Sequence, residues 1–147
     1  MTTFVDNRKA HFNYTVQETF EAGIELLGFE VKAIKTGMGN LTGAICLVRG
    51  GEVFIVNMHI PPYQPGNTPK GYDPDRTRRL LLNKKEIKIL ADADKAKGLT
   101  LVPMAMYIKG RRIKVEVAIC KGKKTHDKRE TIKKREVDIE IRRNFDR

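Results

Sequence analysis

The side chains best suited to catalysis or metal binding in this sequence are its three histidines, His11, His59 and His126. None of them stands in metal-ligand spacing with cysteine or a carboxylate, whereas a structural zinc site takes about four ligands. His126 beside Asp127 resembles a general base and the group that orients it, but the sequence identifies no second acid–base group. We therefore expect no catalytic residue, no metal and no cofactor. His126 lies within the cation-rich run GKKTHDKRE, which favours an interpretation as a polar member of an RNA-facing segment.

Clustered cations are the other chemistry that the chain offers, and the first cluster is Asn7-Arg8-Lys9. Arg8 and Lys9 could neutralise phosphates, and Asn7 could hydrogen-bond a base edge or a sugar hydroxyl. A frayed, solvated terminus is the alternative interpretation of the same residues.

A second cluster, Arg76, Arg78 and Arg79, follows a segment rich in proline and glycine. Alternate residues of an extended segment share a side, so Arg76 and Arg78 would point the same way. Contact with RNA and salt bridges to the nearby Asp73 and Asp75 are both compatible with this pattern.

The third and largest cluster is at the carboxyl end. Residues 121–147 hold eleven basic and six acidic residues, a net charge of +5 within a chain of net charge +11. Neutralised phosphates release counterions, so RNA binding by this segment would depend steeply on salt. Val137, Ile141 and Phe145 would line one helical face, but so little apolar surface does not fold alone. We expect this tail to be disordered when free and helical when bound.

Glu21 is a carboxylate that stands apart from these cations, between a predicted strand and a predicted helix. It could accept a hydrogen bond from a guanine edge, or it could favour the start of the helix through the helix dipole. The residues alone favour the dipole interpretation.

The elements that would position these residues are mostly β. Phe12 to Val16 alternate as a first strand, and Ile24, Leu27, Val31 and Ile34 have the spacing of an amphipathic helix. Later segments predict a hairpin at 44–48 and 53–58, a long loop at 61–74, a helix that Asn83 and Glu86 cap and Gly98 ends, and strands at 99–108 and 113–120.

Length and composition limit the kind of fold that these elements can form. A chain of 147 residues, 40% of them apolar, can bury one core, and no stretch approaches the roughly 20 apolar residues of a bilayer span. Cys46 and Cys120 lie in predicted strands without a CxxC partner, which favours buried, reduced thiols in a cytoplasmic protein. Five or six short strands with helices predict a closed β-barrel of the oligonucleotide-binding type in residues 1–120, followed by the basic tail in residues 121–147.

Several motifs in a fixed order resemble one family. The segments NRKAHFNYTVQETFEAGIELLGFEVKAIKTG, GEVFIVNMHIPPY, DPDRTRRLLLNKKEI and GLTLVPMAMYIKGRRIKVEVAICKGKKTHDKRE closely resemble the small protein B family of transfer-messenger-RNA-binding proteins. The resemblance runs from Asn7 to about Glu136. It implies an oligonucleotide-binding barrel with helices packed on it.

The resemblance also implies a function, the rescue of stalled ribosomes by trans-translation. A family member binds the tRNA-like domain of transfer-messenger RNA and delivers it, with elongation factor Tu, to ribosomes that lack a usable codon. The tail would enter the decoding centre and the mRNA channel of the ribosome. By the same resemblance we expect a monomer that is not an enzyme and does not act at a membrane.

The resemblance assigns roles to individual positions. It moves the interpretation of Glu21 from helix dipole to RNA contact. By the resemblance, the barrel residues expected to face the RNA are Asn7, Arg8, Glu21, Leu81 and Lys114, and Lys9 joins them because of its charge. In the tail, the resemblance gives the residues expected to contact RNA or the ribosome as Lys121, Lys123, Lys124, His126, Asp127, Lys128 and Arg129. The cations Lys133, Lys134 and Arg135 are added to them because of their charge.

Two other functions are weaker alternatives. A ribosomal or general single-strand-binding barrel would need exposed aromatic side chains for base stacking. A small ribonuclease would use His126 as its base.

Overall fold

The computed structural model describes residues 2–122 of the chain. Its helices and strands follow in the order β1 (Thr2–Asp6), α1 (Arg8–Asn13), β2 (Tyr14–Ile24), α2 (Gly28–Lys35), β3 (Ile45–Arg49), β4 (Glu52–Val56), a 3-10 turn (Pro65–Asn67), β5 (Arg78–Leu81), α3 (Lys84–Lys95), β6 (Leu99–Lys109) and β7 (Arg112–Gly122).

The strands pair antiparallel and close into a barrel. Hydrogen-bonded neighbours run β6–β3–β4–β5–β2–β7, and β7 pairs back onto β6. The long strand β6 accommodates two partners on one edge, because β3 pairs with it at Leu101 while β1 pairs with residues 105–108. The predicted mainly β fold, a closed barrel of the oligonucleotide-binding type with helices, is confirmed.

Alternation along the strands divides core from surface. On β7, Ile113, Val115, Val117 and Ile119 point into the barrel, where they pack with buried residues of the other strands. The residues between them point outward, and Cys120 with its neighbours forms a second, smaller cluster under α1. The end of β7 is therefore buried on both faces.

The helices complete this core. Ala33 and Ile34 of α2 and Leu90 and Ala93 of α3 join the main cluster. The capping box predicted for α3 is present, because Asn83 Oδ1 accepts a hydrogen bond from the Glu86 amide at 2.9 Å. The carboxylate of Glu86 accepts one from the Asn83 amide in return.

The amino-terminal segment differs from the prediction. Phe12 lies in α1 rather than in a first strand, and β1 precedes it, so the interpretation as a frayed terminus is wrong. Ile24 ends β2 instead of starting a helix, and α2 begins at Gly28. Strand β1 and helix α1 both pack on strand β6, which lies near the other end of the sequence. Local sequence patterns do not reveal such a distant partner.

The remaining elements follow the sequence more closely. The hairpin β3–β4 is confirmed, and its turn residues Gly50 and Gly51 both have positive φ, 59° and 76°, as a tight hairpin turn requires. Both cysteines are free and buried, as predicted. Burial raises the pKa of the Cys120 thiol to about 11, which keeps it protonated at neutral pH.

The long loop is fastened to α2 by a buried ion pair that the sequence analysis did not foresee. Arg78 and Glu30 are both fully buried, and the Nε of Arg78 donates to Glu30 Oε2 at 2.7 Å. Arg76 also pairs with Glu30, so neither arginine bridges to Asp73 or Asp75. The Arg78 guanidinium donates further to the carbonyl oxygens of Met58 and Pro74.

Candidate nucleic-acid interface

One cross-strand row on the outside of the barrel brings three distant segments together. Gly23 of β2 pairs with Leu81 of β5 on one side and with Lys114 of β7 on the other. Lys114 in turn pairs with Tyr107 of β6. Leu81 is 47% exposed, and Lys114 is partly exposed beside it. The row thus joins an apolar contact and a cation across four strands.

Glu21 lies next to this row, in the middle of β2. The helix-dipole interpretation is therefore wrong, because the helix α2 begins seven residues later. The Tyr107 hydroxyl donates to Glu21 Oε2 at 2.7 Å, and Lys109 Nζ lies 3.2 Å from Oε1. The hydrogen bond from Tyr107 is the largest influence on the pKa of Glu21 and lowers it. Desolvation opposes this effect, while the hydrogen bond and charge of Lys109 and the charge of Lys114 lower the pKa further, so the net shift is downward. Glu21 is therefore an ionised, acceptor-only group.

A cleft opens beside Gly23, Leu81 and Lys114 of this row. It measures about 290 Å³ and is lined by Gly23, Leu81 and Lys114 together with Arg111 and Arg112. A β-carbon on Gly23 would lie 3.3 Å from the β-carbon of Leu81, so a side chain here would narrow the cleft. Cations for phosphate, an apolar wall and a nearby carboxylate are the groups that an unpaired or irregular nucleotide needs.

Arg111 and Arg112, with Lys109, were missed as site residues in the sequence analysis. They flank the turn at Gly110 in the β6–β7 hairpin, which places all three beside Lys114. The run KGRRIK, dense in cations within a hairpin, is the signal that could have identified them.

Asn7, Arg8 and Lys9 lie farther along the same outer face. Helix α1 covers Ala118 and Cys120, which follow Lys114 on the outward side of β7. Asn7 is 2% exposed, and its side chain caps α1 by accepting from the Ala10 amide. Its amide nitrogen donates to the carbonyl oxygens of Pro103 and Leu41.

Both the amide oxygen and the amide nitrogen of the Asn7 side chain are thus engaged in hydrogen bonds within the protein. Arg8 and Lys9 on the first turn of α1 are exposed. The arrangement lets Asn7 orient the segment that carries the two cations, while a direct RNA contact by Asn7 stays a prediction.

The predicted tail residues lie outside the described part of the chain, with one exception. Lys121 is exposed on β7 and pairs with Thr15 of β2 and Leu99 of β6. The expected contacts of Lys123, Lys124, His126, Asp127, Lys128, Arg129, Lys133, Lys134 and Arg135 stay predictions. Strand β7 continues to Gly122, two residues beyond the predicted strand end.

Within residues 2–122, no helix is long and apolar enough to cross a membrane. In the same range, no three histidine, cysteine, aspartate or glutamate side chains are grouped so that they could hold a metal ion.

Comparison with known proteins gives consistent matches over nearly the whole chain. The family model "SmpB protein" matches residues 4–147. An SsrA-binding protein of Caldicellulosiruptor bescii is 53% identical over 139 residues, which cover 95% of this chain and 87% of that protein. An SsrA-binding protein of Clostridium acetobutylicum is 50% identical over 141 residues, 96% of this chain and 90% of the relative.

A solved structure agrees with these relatives. It is described as "tmRNA-SmpB: a journey to the center of the bacterial ribosome", and its matching chain is 38% identical with a TM-score of 0.70. The match covers 86% of this chain and 92% of that chain.

Proposed function

This chain belongs to the SmpB protein family, and from that membership we propose that it binds transfer-messenger RNA and serves trans-translation, the rescue of stalled ribosomes. It acts as an RNA-binding protein and not as an enzyme. Relatives that are about half identical over most of the chain are SsrA-binding proteins, and the similar solved structure is of a tmRNA–SmpB assembly with the ribosome.

The observation that carries the proposal at the level of residues is the row of Leu81, Gly23 and Lys114 with Glu21 beside it. These positions were assigned to RNA from separate motifs, and the barrel brings them to one face. We propose that this face holds the tRNA-like domain, with Lys114 and the cations Lys109, Arg111 and Arg112 near phosphates. Arg8 and Lys9 would extend the same contact along α1.

A general single-strand-binding function is less well supported. In the described part of the chain, the large apolar side chains that are exposed are Val16, Leu27, Met38, Leu81 and Ile89. None of them is aromatic, whereas binding single strands without sequence preference relies on aromatic platforms.

Finer parts of the function are proposals that follow from family membership. The protein would act in the cytoplasm as a monomer, in one complex with transfer-messenger RNA and elongation factor Tu. The tail would occupy the decoding centre and the mRNA channel of the ribosome. Sedimentation of the purified protein, alone and then with the RNA and the elongation factor, would test the stoichiometry; a stable dimer or a complex that excludes the factor would contradict it.

The function is tested by titrating the full chain into a fluorescently labelled tRNA-like domain at several salt concentrations. We expect tight binding, with no RNA cleavage, that a linear RNA of the same length does not reproduce. Lys114→Ala should weaken binding and lower the salt slope by about one, as expected for the loss of one phosphate contact. Lys85→Ala, which removes an exposed cation on α3, is the matched control and should change little.

Two outcomes would contradict this function, and a third would contradict the assignment of this face. Equal affinity for the linear RNA would indicate a general RNA binder. Cleavage that His126→Ala abolishes would indicate a ribonuclease. An unchanged salt slope in Lys114→Ala would remove this face from the RNA site.

A further inference from the structure

The Glu21 carboxylate is held by two side chains of one neighbouring strand. Tyr107 and Lys109 are separated by 86 and 88 residues from Glu21, yet both donate to its carboxylate from β6. They stand two apart on the strand, so both point to the outer face. Strand β7 lies between β6 and β2, so the Tyr107 side chain reaches across it to meet Glu21.

The two ends of the Tyr107–Glu21 hydrogen bond differ in exposure. Tyr107 is 8% exposed, while the Glu21 side chain keeps 35% of its surface in solvent. A packed ring therefore carries a hydroxyl outward to a carboxylate at the surface. Such an anchor restricts the rotamers of a glutamate that would otherwise move freely, and it lowers the entropy lost when a ligand is bound.

The protonation of the pair is fixed as well. Burial raises the pKa of Tyr107, and the neighbouring carboxylate of Glu21 raises it further. The hydrogen bond from Tyr107 has the opposite effect on the pKa of Glu21, which it lowers. At neutral pH the hydroxyl is thus always a donor and the carboxylate always an acceptor.

We propose that Tyr107 is a positioning residue of the RNA site, which holds the Glu21 carboxylate in one orientation so that it accepts hydrogen bonds from the amino or imino groups of a base edge. This inference rests on the proposed function. Two adjacent donors, as on a guanine edge, match the two oxygens of a carboxylate best. Lys109 supports the same orientation from the Oε1 side while it remains exposed for a phosphate.

The substitution Tyr107→Phe isolates this role, because it keeps the packed ring and removes only the hydroxyl. Binding of the labelled tRNA-like domain is measured for the wild type, Tyr107→Phe, Glu21→Gln and the double variant at one salt concentration. We expect Tyr107→Phe to weaken binding about fivefold, in the range of one lost hydrogen bond. Glu21→Gln should weaken binding at least as much, and the double variant should bind no worse than Glu21→Gln alone.

A second readout follows the carboxylate directly. The carbon-13 chemical shift of the Glu21 carboxyl group is measured as the pH falls from about 7 to about 3, which spans the ordinary range of a glutamate. Loss of the hydroxyl should move the midpoint to higher pH, because its hydrogen bond is the largest influence that lowers the pKa. A ring that only supports the barrel would leave this midpoint unchanged.

Tyr72→Phe is the matched control. The Tyr72 hydroxyl also lies close to a glutamate, 2.9 Å from Glu30 Oε2, but it contacts the buried pair of Glu30 and Arg78 and not the outer face at Glu21. This variant should lose stability and keep its RNA affinity at temperatures where it remains folded.

The outcomes separate the inference from the function on which it rests. If the wild type binds the RNA and Glu21→Gln weakens it, but Tyr107→Phe binds like the wild type, the inference is overturned and the function stands. If Tyr107→Phe weakens binding equally with and without Glu21→Gln, Tyr107 acts through the barrel, and the inference fails. If the wild type does not bind the tRNA-like domain, the proposed function fails first.

Discussion

Glu30 is the residue on which the arrangement of the long loop depends. Burial raises the pKa of its carboxyl, but hydrogen bonds from Arg76, the Leu27 amide and Arg78, with the charge of Arg78, lower it by more, so the net shift is downward. Both oxygens of the carboxylate are occupied, and Arg78 reaches three carbonyl oxygens besides. In residues 2–122 no buried side-chain nitrogen or oxygen lacks a hydrogen-bond partner. The network is complete, and breaking one member leaves the others unpaired.

Glu30→Gln should therefore be strongly destabilising. It leaves the guanidinium of Arg78 buried without a counter-charge, a change that costs roughly 3–5 kcal/mol when one partner of a buried pair is removed. Chemical denaturation monitored by circular dichroism measures the loss. The control is Glu25→Gln, which disturbs the exposed pair of Glu25 with Arg79 and should cost less than about 1 kcal/mol.

The effect of Glu30→Gln should also depend on pH in a defined direction. A carboxyl whose pKa is lower in the folded state stabilises the protein above its unfolded pKa, and this stabilisation is lost as the pH falls through the folded pKa. The difference in unfolding free energy between the wild type and Glu30→Gln should therefore shrink as the pH is lowered below the ordinary glutamate range. A difference that grew on acidification would contradict the downward shift.

At the scale of elements, patterns that are complete within a few residues predicted structure well. The capping box of Asn83 and Glu86 and the glycine turn of the β3–β4 hairpin both have all their partners inside the element. The same holds for β6 and β7, whose long apolar runs are joined by a short turn around Gly110. Local chemistry is sufficient where an element is stabilised locally.

Elements that depend on distant partners were predicted wrongly or missed. Strand β1 exists because β6 pairs with it, and α1 has only six residues, fewer than two helical turns, so its sequence shows no amphipathic repeat. Strand β5 carries the charged pair Arg78 and Arg79, and the partner of Arg78 is Glu30, 48 residues earlier. The spacing of Ile24 with Leu27 imitated a helix, although Ile24 ends a strand and Leu27 is exposed.

The residues of the candidate site also fall into two groups, those that motifs in the sequence predicted and those that only the fold identifies. Motif resemblance supplied Glu21, Leu81 and Lys114, and the barrel register explains why such distant residues share a face. Tyr107 could not be found from the sequence, because its contact with Glu21 crosses an intervening strand. The cations Lys109, Arg111 and Arg112 of the β6–β7 hairpin lie near the β2 residues of the site only because β7 pairs with β2, which the sequence does not show.

The cap of α3 gives a prediction at the element scale. Asn83→Ala removes the acceptor of the Glu86 amide and should cost roughly 0.5–2 kcal/mol of unfolding free energy. Asn83→Ser keeps an oxygen at this position and should recover most of the loss, as urea denaturation of the three proteins would measure. Equal losses for alanine and serine would mean that the asparagine acts in some way other than as a cap. Since α3 packs at the core through Leu90 and Ala93, the change should not alter RNA affinity in the folded protein.

At the scale of the whole molecule, the barrel and the basic tail would have separate tasks. The described barrel carries the cluster of residues that we propose to face the RNA, and residues 123–147 add ten basic and six acidic residues beyond it. Strand β7 leads into that segment from the face that carries α1, with Lys121 and Gly122 still paired to β2. A truncation that tests these separate tasks must therefore retain Gly122, so that the pairing of β7 with β2 stays complete.

Truncation after Gly122 should leave the shape-specific binding of the tRNA-like domain largely intact, because Glu21, Leu81 and Lys114 remain. It should abolish the tagging of peptides on stalled ribosomes, since the predicted contacts from Lys123 to Arg135 would be gone. The salt dependence of binding to full-length transfer-messenger RNA should become shallower, because fewer counterions are released. A chain whose tail has the same composition in scrambled order is the control that separates charge from order. If the scrambled tail restored tagging, charge alone would suffice and the roles assigned to the positions around His126 would be wrong. If truncation abolished binding of the tRNA-like domain, the barrel would not be the site that selects the RNA.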